Sequence, residues 1–168
     1  MPDRLPDVID PLSLAQKRRH LKGEIPLSQL DRVAEALFET QGAAKFELRF
    51  SKSGRQAVVT GLVEADLILQ CQCCLGAMSW PVRSEANLGI VTSVDEALQL
   101  PESMEPLLVE ADSEILLADV VQDELLLSIP AVPRHPNCQL PDSFEAKSDK
   151  PHPFAGLAEL KFKLSSQE

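Results

Sequence analysis

Phe46, Leu48 and Phe50 alternate with Lys45, Glu47, Arg49 and Ser51. This period of two predicts a strand with one face buried. Lys52-Ser53-Gly54 then reads as a hairpin turn. A longer extended segment follows over Gln56–Gln70, with Val58, Thr60 and Leu62 on one parity. Past Gly61 the apolar positions shift to Val63, Ala65, Leu67 and Leu69, which predicts a bulge at the glycine. Trp80–Thr92 is a third extended segment, and three in succession predict an antiparallel meander.

Helical spacing appears elsewhere. Leu14–Leu21 predicts a short helix carrying a basic cluster. Leu30, Val33, Ala34 and Leu37 predict a second helix, capped by Ser28 with Asp31 three residues on and ended at Gln41-Gly42. The clearest helix is expected over Ser113–Ser128, where Leu116, Val120 and Leu127 with Val121 and Leu125 form an apolar face. Asp119 and Asp123 lie opposite, and Pro130 stops the helix. Leu107–Glu110 reads as a short edge strand. Residues 1–11 are Pro/Asp-rich and predicted extended, and six prolines make 130–153 a long loop. Phe154, Leu157 and Leu160 predict a short terminal helix over 154–163. The expected fold is α+β over 1–168 as a single domain: an antiparallel sheet with flanking helices and a long Pro-rich C-terminal loop.

Composition narrows the function classes. The 168 residues are 44% hydrophobic and 25% charged, which suits one packed domain and excludes wholesale disorder. With aromatics at 4% and no Tyr, stacking platforms for single-stranded nucleic acid are disfavoured. No apolar run approaches the ~18 residues of a membrane span, and the N-terminus lacks the order of a signal peptide. A soluble, cytoplasmic protein without a membrane partner is expected.

A net charge of −10 taken alone argues against a nucleic-acid partner. The distribution changes that picture. No Lys or Arg occurs between Arg83 and Arg134, and Asp95–Glu124 alone carries ten acids, so the rest of the chain is balanced. Lys17, Arg18, Arg19 and Lys22, with His20 among them, form the one local basic cluster. It is the candidate nucleic-acid contact, each phosphate adding a salt-dependent increment. The alternative is a solvated basic face beside Asp7 and Asp10.

The four cysteines fall in two places, Cys71, Cys73 and Cys74 in one turn and Cys138 far downstream. The pairs Cys71-x2-Cys74 and His135-x2-Cys138 make a Cys3His set of the kind structural zinc prefers. Gly76 is expected to supply the positive φ of such a turn. Such a staple would also restrain the proline-rich loop. Cys73 is spare, or replaces Cys71 as ligand. Buried free thiols and a redox Cys-x-x-Cys are the other readings, although the redox motif expects a strand-to-helix context. A disulfide framework does not suit the cytoplasm. No Walker, dinucleotide or G-x-S-x-G signature is present. Asp123 and Glu124 are adjacent on a helix and diverge, so they form no acid–base couple.

The ordered set of segments resembles the YceD family of large ribosomal RNA subunit accumulation proteins. The matching pieces begin with Asp10-Pro11, Ala15-Gln16-Lys17-Arg18, Gly23 and Asp31-Arg32-Val33-Ala34-Glu35. Leu69-Gln70-Cys71-Gln72-x-Cys74 and Leu107–Glu110 follow. Asp123 through Val132-Pro133-x-His135 and Pro153-Phe154-Ala155-x-Leu157-x-x-Leu160-Lys161 complete the set. The resemblance implies a non-catalytic bacterial factor needed for accumulation or processing of large-subunit ribosomal RNA. Its partner would be precursor RNA or an assembling particle, reached directly or through a basic protein, with no small-molecule substrate. Relatives also place cysteine at Cys71, Cys74 and Cys138, whereas a basic residue is usual at the position of Cys73. The competing expectation is a thiol- or metal-dependent redox or hydrolytic enzyme built on Cys71, Cys74 and Cys138.

Overall fold

The computed structural model describes residues 5–110 and 113–138. Five strands form the main sheet, in the order β2 (His20–Pro26), β3 (Ala43–Ser53), β4 (Gln56–Gln70), β5 (Ala77–Val91) and β6 (Glu105–Leu108). The first four are antiparallel neighbours, and β6 lies parallel to β5 along Leu88–Val91. Parallel pairing requires a crossover, here the stretch holding the four-residue helix α3 (Val94–Ala97). A separate two-stranded ribbon joins β1 (Val8–Ile9) to β7 (Ile115–Leu116).

The predicted meander is present in β3, β4 and β5. Phe46, Leu48 and Phe50 are buried, and they stand opposite Val63, Gly61 and Val59 of β4. The same face continues through Leu67 and Leu69 to Val82, Ala86 and Leu88 on β5. Helices α1 (Pro11–Gln16), α2 (Asp31–Ala36) and α4 (Leu117–Leu127) accompany the sheet. Burial of each Val, Leu or Phe side chain contributes about 1.5–3 kcal/mol, and this layer is the main source of stability.

Between β3 and β4 the two-residue turn Gly54-Arg55 has φ +62° at Gly54, the sign that a type II′ hairpin demands at its first position. The expected bulge at Gly61 is absent. Both registers of β4 run unbroken past it, and odd-numbered residues from Ala57 to Leu69 face the core throughout. Gly61 is required for a different reason: a Cβ there would overlap the backbone carbonyl of Glu47.

Three helix boundaries differ from expectation. The first helix is Pro11–Gln16, started by Asp10, whose carboxylate accepts the Ser13 N–H at 2.9 Å. The basic run therefore lies past the helix, and His20–Pro26 is a strand, with Leu21 buried against Leu48. The second helix stops at Ala36, and Ser28 sits in a 3₁₀ turn instead of capping it. The third starts at Leu117, because Ile115-Leu116 is spent on pairing with β1. Leu116 and Leu127 are accordingly exposed, and Leu117, Val120, Val121 and Leu125 form the buried stripe. The edge strand lies at Glu105–Leu108, two residues before its expected place. Residues 130–138 form a loop, while the remainder of the Pro-rich segment and the expected helix at 154–163 lie outside the described residues.

Candidate metal centre and basic surface

Strand β4 delivers Cys71 at its end, and the turn to β5 carries Cys73 and Cys74. The Cys71 N–H donates to the Gly76 carbonyl at 2.9 Å, and the Leu75 N–H donates to the Cys71 carbonyl at 2.8 Å. The left-handed residue is Leu75, at φ +60°, and Gly76 is not in that conformation. A branched side chain there is strained and persists only where its surroundings over-determine it. The loop after α4 closes on this turn: the Gln72 N–H donates to the Pro133 carbonyl at 2.8 Å.

Cys71, Cys74, His135 and Cys138 present four donor atoms within 4.8 Å of one another. Cys71 Sγ lies 3.7 Å from Cys138 Sγ, and Cys74 Sγ lies 3.6 Å from His135 Nδ1. A regular tetrahedron built on zinc bond lengths has an S···S edge of about 3.8 Å and an S···N edge of about 3.6 Å. The donor set therefore fits Zn²⁺ in kind, and these two edges fit it in length. His135 Nε2 is 3.2 Å from the Ala77 carbonyl, which can only accept, so the proton sits on Nε2 and Nδ1 keeps its lone pair toward the sulfurs. Cys73 is buried but stands outside the set of four.

The sulfurs perturb one another strongly. The Cys74 backbone N–H pulls the Cys71 thiol down to about 5 against burial, helped by the backbone N–H groups of His135 and Cys73 and by the Cys138 thiol. Cys138 is pushed up to about 12 by its side-chain hydrogen bond to Cys73, then by burial and by Cys74 and Cys71. One thiolate forms easily, whereas Cys138 is held protonated by its sulfur neighbours and burial, a conflict that a dication at the centre would relieve.

The basic residues lie at the β2 side of the sheet, level with Val59–Leu62 of β4. Lys17 caps α1, Arg18 takes φ +49° to reverse the chain, and the Arg19 carbonyl accepts the Phe50 N–H at 2.8 Å. Lys22 sits on β2, 3.5 Å from Glu47. The sequence reading missed Arg49, which pairs in register with His20 and bonds Glu47 at 3.0 Å. Arg49's hydrogen bond, then Lys22 and His20, hold the Glu47 carboxyl below its usual range. Lys52 and Arg55 are exposed in the adjoining hairpin. The alternation Lys45, Glu47, Arg49 on the solvent face of β3 carried this signal. Through β3, Arg49 stands level with Thr60 and Lys22 with Leu62 of β4, so roughly ten residues of strand, about 33 Å at ~3.3 Å per residue, separate the basic cluster from Cys71.

The two adjacent acids of α4 diverge as expected. Asp123 bonds Arg32 at 2.7 Å, while Glu124 accepts the Ser84 hydroxyl at 2.7 Å. No helix among the described residues is long and apolar enough to cross a membrane.

Comparison with known proteins adds the family. The family described as "Large ribosomal RNA subunit accumulation protein YceD" matches residues 59–161. A protein of that same description from Haemophilus influenzae is 34% identical over 170 residues, covering 95% of this chain and 98% of the relative. No solved structure matches the chain.

Proposed function

The chain belongs to the YceD family, and from that premise we propose that it is a non-catalytic cytoplasmic factor supporting accumulation of large-subunit ribosomal RNA. The observation that carries this reading is the separation of charge across the sheet. The cations Lys17, Arg18, Arg19, Lys22 and Arg49 gather at the β2–β3 edge. The acids from Asp95 to Glu110 follow β5 and line the opposite edge. Four strand spacings, roughly 19 Å, separate the two edges. The cationic edge engages phosphates of precursor RNA, and the anionic edge stays free for a basic protein of the assembling particle.

On this reading the Cys71, Cys74, His135 and Cys138 centre holds a structural Zn²⁺. Four protein donors complete the tetrahedron, whereas a catalytic zinc keeps one position open. The ion would supply cross-linking alone, tying the 130–138 loop to the β4–β5 turn. The distance from this centre to the basic edge supports a staple over an active site.

The test reverses Lys17, Arg18, Arg19 and Lys22 to Glu together and follows the tagged chain through a sucrose gradient. Loss of co-sedimentation with precursor particles, with the fold retained by circular dichroism, is expected. Undiminished co-sedimentation overturns the assignment of the contact.

A further inference from the structure

Resting on the reading above, we infer that the groove between α4 and the β5–β6 edge is a docking site for an extended basic protein segment, anchored by one cation on Glu124. The groove has a volume of about 330 Å³, an apolar floor of Leu88, Leu107 and Val120, and acids at Glu105, Asp123 and Glu124. A second concavity continues it past Ser84 and Asn87 and shares Glu105, Glu124 and Leu127. Its size stands at the low end for ligand sites, which suits a few side chains of a peptide better than a large cofactor.

Three observations identify the occupant. Glu124 is only 5% exposed, yet its carboxylate receives just the neutral Ser84 hydroxyl and pairs with no described cation. Buried charges are ordinarily neutralised by a partner, so this carboxylate calls for a cation from outside. Next, β6 covers β5 only along Leu88–Val91, and no described strand pairs with the outer side of Ala77–Asn87. That open edge, interrupted at Pro81, can take main-chain hydrogen bonds from an extended segment lying in line with β6. Finally, the exposed Leu127, at 73%, flanks the groove, and the stretch supplying its β6 wall carries acids and no base. An RNA strand would be repelled here, whereas a segment alternating Arg or Lys with apolar residues satisfies the carboxylate, the floor and the edge together.

The test titrates the ¹⁵N-labelled full chain with a synthetic decapeptide alternating arginine and valine, with a glutamate–valine peptide as control. Saturable amide shifts are expected at Ser84, Asn87, Glu105, Glu124 and Leu127 with the arginine peptide alone. Glu124→Gln should weaken binding at least tenfold, and Leu127→Ser, at an exposed site that leaves the core intact, several-fold. Glu102→Gln, on the same acidic stretch but outside the groove, should change it less than twofold. Equal loss in Glu124→Gln and Glu102→Gln, or shifts confined to other surfaces, would overturn the inference. Particle co-sedimentation read in parallel separates the two claims. A peptide that fails to bind while sedimentation still depends on Lys17, Arg18, Arg19 and Lys22 removes the groove and leaves the proposed function standing. Sedimentation indifferent to those four residues removes the basic contact whatever the peptide does.

Discussion

If the centre holds zinc as proposed, stripping it, with a chelator or through Cys138→Ser, opens a cross-link between positions 67 residues apart. In the chain-entropy treatment of cross-links, closing a loop of that length restrains the unfolded chain by about 4 kcal/mol. For a chain of this size each kcal/mol moves Tm by about 2–4 °C, so a fall of about 8–16 °C is expected. The loss should be local in its structural consequence. The Gln72 amide, donated to Pro133, should lose hydrogen-exchange protection, because that bond joins the tethered loop to the turn. Amides pairing β3 with β4 should keep theirs, since that register is set by the core face. Metal content by mass spectrometry, scanning calorimetry and hydrogen exchange on one preparation make the assay. A chain that releases one zinc with Tm and Gln72 protection unchanged would refute the staple, as would a chain isolated without metal and equally stable.

Other expectations follow from the same geometry. Zn²⁺ added at pH 7 should release at least one proton, because Cys138 is pushed up and stays protonated until the ion binds; calorimetry in buffers of different ionisation enthalpy counts the release. Glu47→Gln should free Lys22 and Arg49, tighten binding to a polyphosphate or RNA homopolymer, and steepen the salt slope by about one; filter binding against salt reads this. The Glu47 carboxyl is lowered in the folded chain, so its contribution to stability is present above its unfolded pKa. That contribution is lost as pH falls through the folded value, and an acid titration of wild type against Glu47→Gln should show the difference closing there. Gly61→Ala should cost about 1–3 kcal/mol in urea denaturation, because the new methyl meets the Glu47 carbonyl.

The sheet was legible because its core face is written in period two through Phe46, Leu48, Phe50 and then Leu67 and Leu69. Strand β2 was not, since the run Lys17-Arg18-Arg19 precedes it and Gly23 interrupts its apolar side between Leu21 and Ile25. That gap exists because Leu5 packs where a side chain would stand, a contact that no local pattern announces. The parallel placement of β6 depends on a crossover, and the late start of α4 on a two-residue pairing with β1. The Cys3His grouping could be read from ligand spacing, as two short-range pairs need only one meeting point. The left-handed residue could not, because hydrogen bonds across the turn placed it on Leu75, ahead of the glycine. Burial of Glu124 was equally invisible, since an acid in the sequence reads as solvent-facing until Ser84 and the helix surround it.

The most direct test is ultraviolet crosslinking of the tagged chain to RNA in growing cells, comparing wild type with the form reversed at Lys17, Arg18, Arg19 and Lys22. Enrichment of large-subunit ribosomal fragments by the wild type, and its loss in the reversed form, is the predicted result. Equal crosslinking by both forms, or wild-type crosslinks without ribosomal fragments, would contradict it.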